Sequence, residues 1–157
     1  MKLSKRNMTK EDALHILDWK YEAPYEIYNQ ERAEENLAEF LNGTYFSLVD
    51  DQNRLFGYYC SGVSAQVPAG NKYGVYEGDA IDMGLGMNPV YTGNGHGLDF
   101  VVAILDELEL KYGDYMIRLS VATFNTRAIH LYEKVGFSKE AEFTNGITQF
   151  ITMTRHQ

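Results

Sequence analysis

The sequence predicts a mixed α/β domain with an antiparallel front half and a βαβ unit behind it. Three observations carry that reading. Apolar residues recur at helical spacing near the start of the chain; two aromatic and β-branched runs then flank the turn-forming Asp50–Asn53; and a strand, a glycine loop and a strong helix follow one another from about residue 80 to residue 113.

Taken in order, Thr9 followed three residues later by Asp12 resembles a capping box with a shorter acid, and Leu14, Leu17 and Tyr21 continue the helical period, so a first helix is expected to run to about Lys20. Asn29 is the expected N-cap of a second helix, with Ala33, Leu37 and Leu41 as one stripe and Asn42-Gly43 as its stop. Thr44–Val49 and Leu55–Cys60 read as a β-hairpin, Ser61–Pro68 as a further strand, and Ala69–Asp79 as a Gly-rich loop. Ala80–Met87 alternates, with Ile81, Met83, Leu85 and Met87 on one face and Asp82, Gly84 and Gly86 on the other. Glycines in mid-strand cost stability and are tolerated where another backbone or a ligand approaches closely. Leu98, Val101, Leu105 and Leu108 mark the strong helix, which ends near Gly113. Ile117–Ala122 is then a strand, Asn125–Val135 a helix stopped by Gly136, and Phe143–Met153 holds one or two closing strands.

At 157 residues the chain is one domain's worth, read as a single domain over 1–157, and its 45% hydrophobic and 13% aromatic content can build a core. The net charge of −8 argues against binding nucleic acid or an anionic membrane surface. Cys60 is the only cysteine, so no intrachain disulfide and no thiolate zinc site are expected; it reads as a small buried residue, and the expected compartment is the cytoplasm. The basic first residues lead into no signal-peptide core, and the longest apolar run, Phe100–Leu105, is far too short to span a bilayer. Histidines 15, 96, 130 and 156 show no ligand spacing, so no metal is expected.

Thr92-Gly93-Asn94-Gly95-His96-Gly97 lies between a strand and a helix, where unpaired N–H groups and the helix dipole form an anion site. A P-loop would need Lys and then Ser or Thr after its last glycine, whereas Leu98 and Asp99 follow here; a dinucleotide fingerprint belongs on the first βα turn, which this is not. By itself the loop is also compatible with a tight turn that only packs. About thirty residues on comes Phe124-Asn125-Thr126-Arg127-Ala128-Ile129-His130-Leu131-Tyr132-Glu133-Lys134-Val135-Gly136-Phe137. Together with Met87-Asn88-Pro89 and the glycine loop, this resembles the GNAT superfamily of acetyl-CoA-dependent N-acetyltransferases. The family pattern is a strand ending in V-x-P, a Q/R-x-x-G-x-G/A loop, and a helix carrying N-x-x-A-x-x-L-Y-x-x-x-G-F.

The resemblance implies a GNAT-like fold: a central mixed, mostly antiparallel twisted sheet of six or seven strands, flanked by about four helices, with a splayed strand at the cofactor site. It implies that the backbone of Leu85 and Met87 meets the pantetheine arm and that Thr92, Gly93, Asn94, Gly95, His96 and Gly97 cradle the pyrophosphate of acetyl-CoA, helped by a helix dipole worth ~1 kcal/mol. Thr92 stands where the family usually has Gln or Arg, and the loop holds no Lys or Arg, so Arg127 is the implied partner of a CoA phosphate. Asn125 is both an implied cofactor contact and an ordinary N-cap. Tyr132 matches the tyrosine that protonates the departing thiolate; otherwise it is a helix residue packing on the sheet.

The acceptor must be a neutral amine when it attacks, so a base is expected, with Asp82 ahead of Glu77 and Asp79 close by; each is alternatively a solvated or hydrogen-bonded carboxylate. Trp19, Tyr21, Tyr25 and Glu26, in the link between the first two helices, are the candidates for lining the acceptor site, against the alternative that the aromatics cap the core beneath a loop. The implied activity is acetyl transfer to a primary amine of a small molecule or protein, favouring a cationic acceptor, with no metal; the alternative is a catalytically silent acyl-CoA-binding module. Family members often dimerise, so a homodimer is a further expectation.

Overall fold

Thr9 does begin the first helix. In the computed structural model, which describes residues 2–156, helix α1 spans Lys10–Leu17 and the Thr9 side chain accepts from the Asp12 N–H at 3.1 Å, a cap of a kind worth ~1 kcal/mol. The helix stops at Leu17, three residues short of the expected Lys20: Asp18 caps its C-terminus and its carboxylate forks onto Arg32 at 2.8 and 2.7 Å, while Trp19 turns back to stack on Tyr58.

A short strand β1, Ser4–Asn7, precedes it and was not expected, since SKRN carries no apolar alternation. Helix α2 spans Glu34–Phe40 with Ala33 at its N-cap position. Asn29 is therefore not its cap; its side-chain oxygen accepts from the Tyr21 N–H at 2.7 Å, and Tyr25–Tyr28 forms a 3-10 turn, so the link between the helices is a folded loop. Strands β2 (Tyr45–Val49) and β3 (Leu55–Ser61) pair antiparallel as expected. The further strand expected over Ser61–Pro68 is absent: Gly62 has φ +82°, which ends the extended backbone, and 3-10 turns occupy Gly62–Ala65 and Pro68–Tyr73.

Strand β4 (Ile81–Met87), helix α3 (Gly97–Tyr112), strand β5 (Ile117–Ala122) and helix α4 (Thr126–Lys134) match the expected order, and the closing segment resolves into β6 (Ser138–Thr144) and β7 (Gln149–Arg155). Asn125 caps α4 through an Ala128 N–H donating to its Oδ1 at 3.2 Å. The result is a seven-stranded mixed sheet in the order β1-β2-β3-β4-β5-β7-β6, with β4 and β5 parallel and the β1–β2, β2–β3, β5–β7 and β6–β7 pairs antiparallel. That is the expected fold class. Among the described residues no helix is long and apolar enough to cross a membrane.

The chain divides into two compact units, Met1–Cys60 with Leu85–Ala103, and Ser61–Gly84 with Ile104–Gln157. In the first, Ala13, Ile16 and Leu17 of α1 pack with Phe40 of α2, and Trp19, Tyr45, Leu55 and Tyr58 close over them. In the second, Ile117, Leu119 and Val121 of β5 are buried, as are Ile151 and Met153 of β7, giving that part of the sheet an apolar face. The other face of the same strands carries Arg118, Ser120, Thr152 and Thr154.

Candidate active site

In the first unit, β4 ends at Met87, Pro89–Tyr91 makes a 3-10 turn, and α3 begins at Gly97. Gly93 and Gly95 both have left-handed φ, +78° and +81°, and a Cβ built on either meets nothing within 4 Å. These glycines are required by backbone conformation, since their surroundings are open. The loop rests on an aromatic footing: Phe56 stacks on Tyr91 at 4.5 Å, and His96 meets Phe56 edge-on at 5.7 Å. The His96 ring is thus a packing element of the loop. Thr92 donates its hydroxyl to the Pro89 carbonyl at 2.8 Å, and Asn94 reaches the Val90 carbonyl at 3.4 Å, so both side chains brace the turn and leave anion binding to backbone N–H groups. A pyrophosphate fits this arrangement, because the two exposed glycines put no Cβ in its way and a helix N-terminus follows at once.

Gly86, expected to mark close approach of a backbone or ligand, is instead covered by a side chain: a Cβ there would overlap the Tyr58 ring. Glycine at this position makes room for the aromatic cluster of Trp19, Phe40, Tyr45 and Tyr58. Of the candidate acceptor-lining residues, Tyr21 donates its hydroxyl to the Met87 carbonyl at 2.8 Å, and burial pushes its phenol well above the ordinary range. This ties the interhelical link to the end of β4. Trp19 lines a groove of about 420 Å³ with His15, Asp18, Arg54, Asn88 and Tyr91, while Tyr25 is half-buried and Glu26 is exposed.

In the second unit, the β4–β5 ladder pairs Ile81–Met83 with Ile117–Leu119, three pairs from strands of seven and six residues. Asp82 and Arg118 are register partners on it, 4% and 3% exposed. Arg118 donates to both Asp82 oxygens at 2.6 and 2.9 Å and to the carbonyls of Glu77 and Tyr76 at 2.9 and 3.0 Å; Gln66 also donates to Asp82 at 2.8 Å. Asp82 is therefore a buried ion-pair partner, the hydrogen-bonded carboxylate that the sequence left open as the alternative to a base. Both of its oxygens already accept from the guanidinium and one of them also from the Gln66 amide, so its lone pairs are largely engaged. Glu77 is exposed, with its main chain pinned by Arg118.

Tyr132 lies on α4, 7% exposed, with its ring edge-on to Phe137 at 6.0 Å. Asn125 is the N-cap described above, and Arg127 is exposed in the first turn of α4. Sequence reasoning missed Arg118, Tyr76, Gln66 and Ser120. One signal was available: a lone arginine inside the largely apolar strand IRLSVA requires a buried partner.

The profile of the Acetyltransferase (GNAT) family matches residues 11–137. No curated protein sequence matches the chain significantly. Among solved structures, AAC(6')-Ib in complex with parmomycin and acetyl-CoA superposes with a TM-score of 0.77 at 18% identity, covering 100% of this chain and 94% of that one. A GNAT-family acetyltransferase from Bacillus anthracis gives 0.73 at 18%, covering 99% and 95%. A spermidine N-acetyltransferase SpeG chimera from Vibrio cholerae and hSSAT gives 0.71 at 21%, covering 99% and 96%. With the glycine loop, the strand and helix order and a family match over most of its length, the chain belongs to the GNAT family of acetyltransferases, which use acetyl-CoA.

Proposed function

We propose that this chain transfers the acetyl group of acetyl-CoA to a primary amine that is cationic at neutral pH, by direct attack with no covalent enzyme intermediate. The observation that carries the reading is the loop at Gly93–Gly97, with left-handed glycines facing open space ahead of a sixteen-residue helix. Its amides hold the pyrophosphate, and the backbone of Leu85 and Met87 meets the pantetheine arm. Asn125 and Arg127, at the start of α4, are assigned to the cofactor by the family pattern. Tyr132 gives its phenolic proton to the thiolate that leaves as the tetrahedral intermediate collapses; the ordinary values of a phenol, ~10, and a thiol, ~8.5, lie close enough for a positioned proton to pass to the departing sulfur.

Glu77 takes the proton of the ammonium acceptor, through water, so that nitrogen attacks as a neutral amine. Two facts support this choice: its carboxylate is exposed, and its main chain is fixed by Arg118. Glu77, Asp79 and the net charge of −8 favour a cationic acceptor, and Trp19, Tyr21, Tyr25 and Glu26 line its approach. The spermidine and aminoglycoside enzymes of similar fold act on amines of this kind.

The test is calorimetric titration with acetyl-CoA, followed by a free-thiol assay against polyamines, aminoglycosides, amino-acid derivatives and peptide N-termini. Saturable binding with thiol release from at least one cationic class is the expected result. Binding without release from any class would mean a silent acyl-CoA-binding module, and no binding at all would reject both readings.

A further inference from the structure

The polar face of the second unit holds a hydroxyl cluster that none of the roles above uses. Ser120 follows Leu119, the last β5 residue paired to β4, so it is the first residue of β5 past the closed part of the ladder. Its Oγ lies 2.6 Å from the Tyr76 hydroxyl, which also accepts from the Val67 N–H at 2.9 Å. Burial raises the Tyr76 phenol above its ordinary range, so it stays protonated at neutral pH. With the phenol oxygen accepting from Val67, the phenol proton has one near acceptor, Ser120 Oγ. Either oxygen of this pair can be the donor; with Tyr76 donating, its hydroxyl is satisfied both as donor and as acceptor within the protein. The Ser120 proton is then left unspent, since among the described residues its hydroxyl makes no second hydrogen bond.

A second, independent observation falls at the same place. Thr152 is the register partner of Ser120 on β7, so its side chain stands on the same face, directly alongside. It is 0% exposed and its hydroxyl has no hydrogen-bond partner. Buried polar groups left unsatisfied are uncommon in native proteins and call for a specific explanation. Here two neighbouring hydroxyls share a spot on β5 and β7 with donor capacity to spare.

We infer that Ser120 is a further catalytic residue, whose hydroxyl, oriented by Tyr76, donates a hydrogen bond to the carbonyl oxygen of the acetyl thioester. The inference rests on the acetyltransferase reading above. As the amine nitrogen forms its bond to the carbonyl carbon, the carbonyl π pair moves onto oxygen and the Ser120 hydrogen bond strengthens without transferring its proton. When the C–O double bond re-forms, the C–S bond breaks and the thiolate takes the Tyr132 proton, while the nitrogen's surplus proton passes through water to the Tyr132 phenolate and restores it. Ser120 ends the cycle unchanged. Tyr76 acts through Ser120 and is a positioning residue.

Two measurements on the full chain test this. The first is the infrared carbonyl stretch of 13C-carbonyl acetyl-CoA bound to the wild type, Ser120→Ala, Ser120→Thr and Tyr76→Phe. The stretch is expected to be lowered on binding, to move back up in Ser120→Ala, to stay low in Ser120→Thr, and to move partway in Tyr76→Phe. The second is turnover with the best amine of the panel. Ser120→Ala should lose kcat by roughly 100-fold, the scale of one oxyanion donor, with an unchanged acetyl-CoA Kd and recovery in Ser120→Thr. An unshifted stretch, or wild-type kcat, in a folded Ser120→Ala that binds acetyl-CoA would overturn the inference while leaving the acetyltransferase reading intact. A wild type that does not bind acetyl-CoA would overturn both.

Discussion

The glycine loop of the first unit and the Arg118-centred wall of the second solve the problem of placing polar groups in opposite ways. The loop keeps its side chains out of the matter: Thr92 and Asn94 bond their own turn, His96 packs on aromatics, and Gly93 and Gly95 leave the amides bare. The wall uses one buried cation, which gathers a carboxylate from β4 and two carbonyls from residues 76 and 77, forty-two and forty-one positions away along the chain. The first arrangement costs little to build and offers partial charges. The second depends on full charges removed from water, so it holds only while every partner is present.

The largest effect expected from breaking this contrast is on the wall. Arg118→Met leaves Asp82 buried and unpaired, and should cost ~3–5 kcal/mol of stability in chemical denaturation. Arg118→Met combined with Asp82→Leu should recover most of it, and a double variant as unstable as the single would mean that the carbonyl contacts, not the ion pair, dominate. Tyr132→Phe should leave the fold intact and lower kcat by roughly tenfold to a hundredfold, with acetyl-CoA affinity nearly unchanged; wild-type turnover would remove the proton-donor role. Gly95→Val should behave the other way round. A branched side chain at φ +81° is strained by about 1–2 kcal/mol and shifts the amides, so acetyl-CoA Kd should rise about tenfold with a smaller change in kcat at saturation.

The smallest effect concerns the β2–β3 turn. Asp50 accepts from the Arg54 and Gln52 N–H groups and from the Arg54 guanidinium, and the Arg54 backbone bond foremost holds its carboxyl below the usual carboxylate range. Because the folded value is the lower one, its contribution to stability is full above the ordinary Asp range and is lost as pH falls through the depressed folded value. Urea midpoints measured from pH 6 down to pH 2 should therefore fall less steeply in Asp50→Asn than in the wild type, and parallel curves would discard the assignment.

Local signals were legible wherever neighbours in sequence settle the conformation. Thr9 and Asn125 cap their helices as their spacing implies, Asp50–Asn53 turns the hairpin, Gly136 at φ +98° follows α4, and the strand, loop and helix around Gly93–Gly97 lie where the motif put them. Readings failed where a distant partner decides. Strand β1 exists because β2 offers it an edge, with Arg6 reaching Asp12 and Asn53. Asn29 looked like a cap but serves Tyr21, and Gly86 looked bare but sits under Tyr58. Asp82 read either as a base or as a hydrogen-bonded carboxylate, because nothing in its neighbourhood of sequence reveals an arginine thirty-six residues on.

What the sequence by itself determined is the β2–β3 hairpin and the order of elements from β4 to α4, which rest on periodicity, glycine conformation and capping that act over a few residues, and the family, which rests on resemblance in the glycine loop and the α4 motif. Only the tertiary structure decided which carboxylate is spent and which is available, and which hydroxyls stand together on β5 and β7. Charge pairing and hydrogen-bond satisfaction depend on distances of about 3 Å between residues far apart in the chain, and the spacing of letters along a chain does not encode those distances.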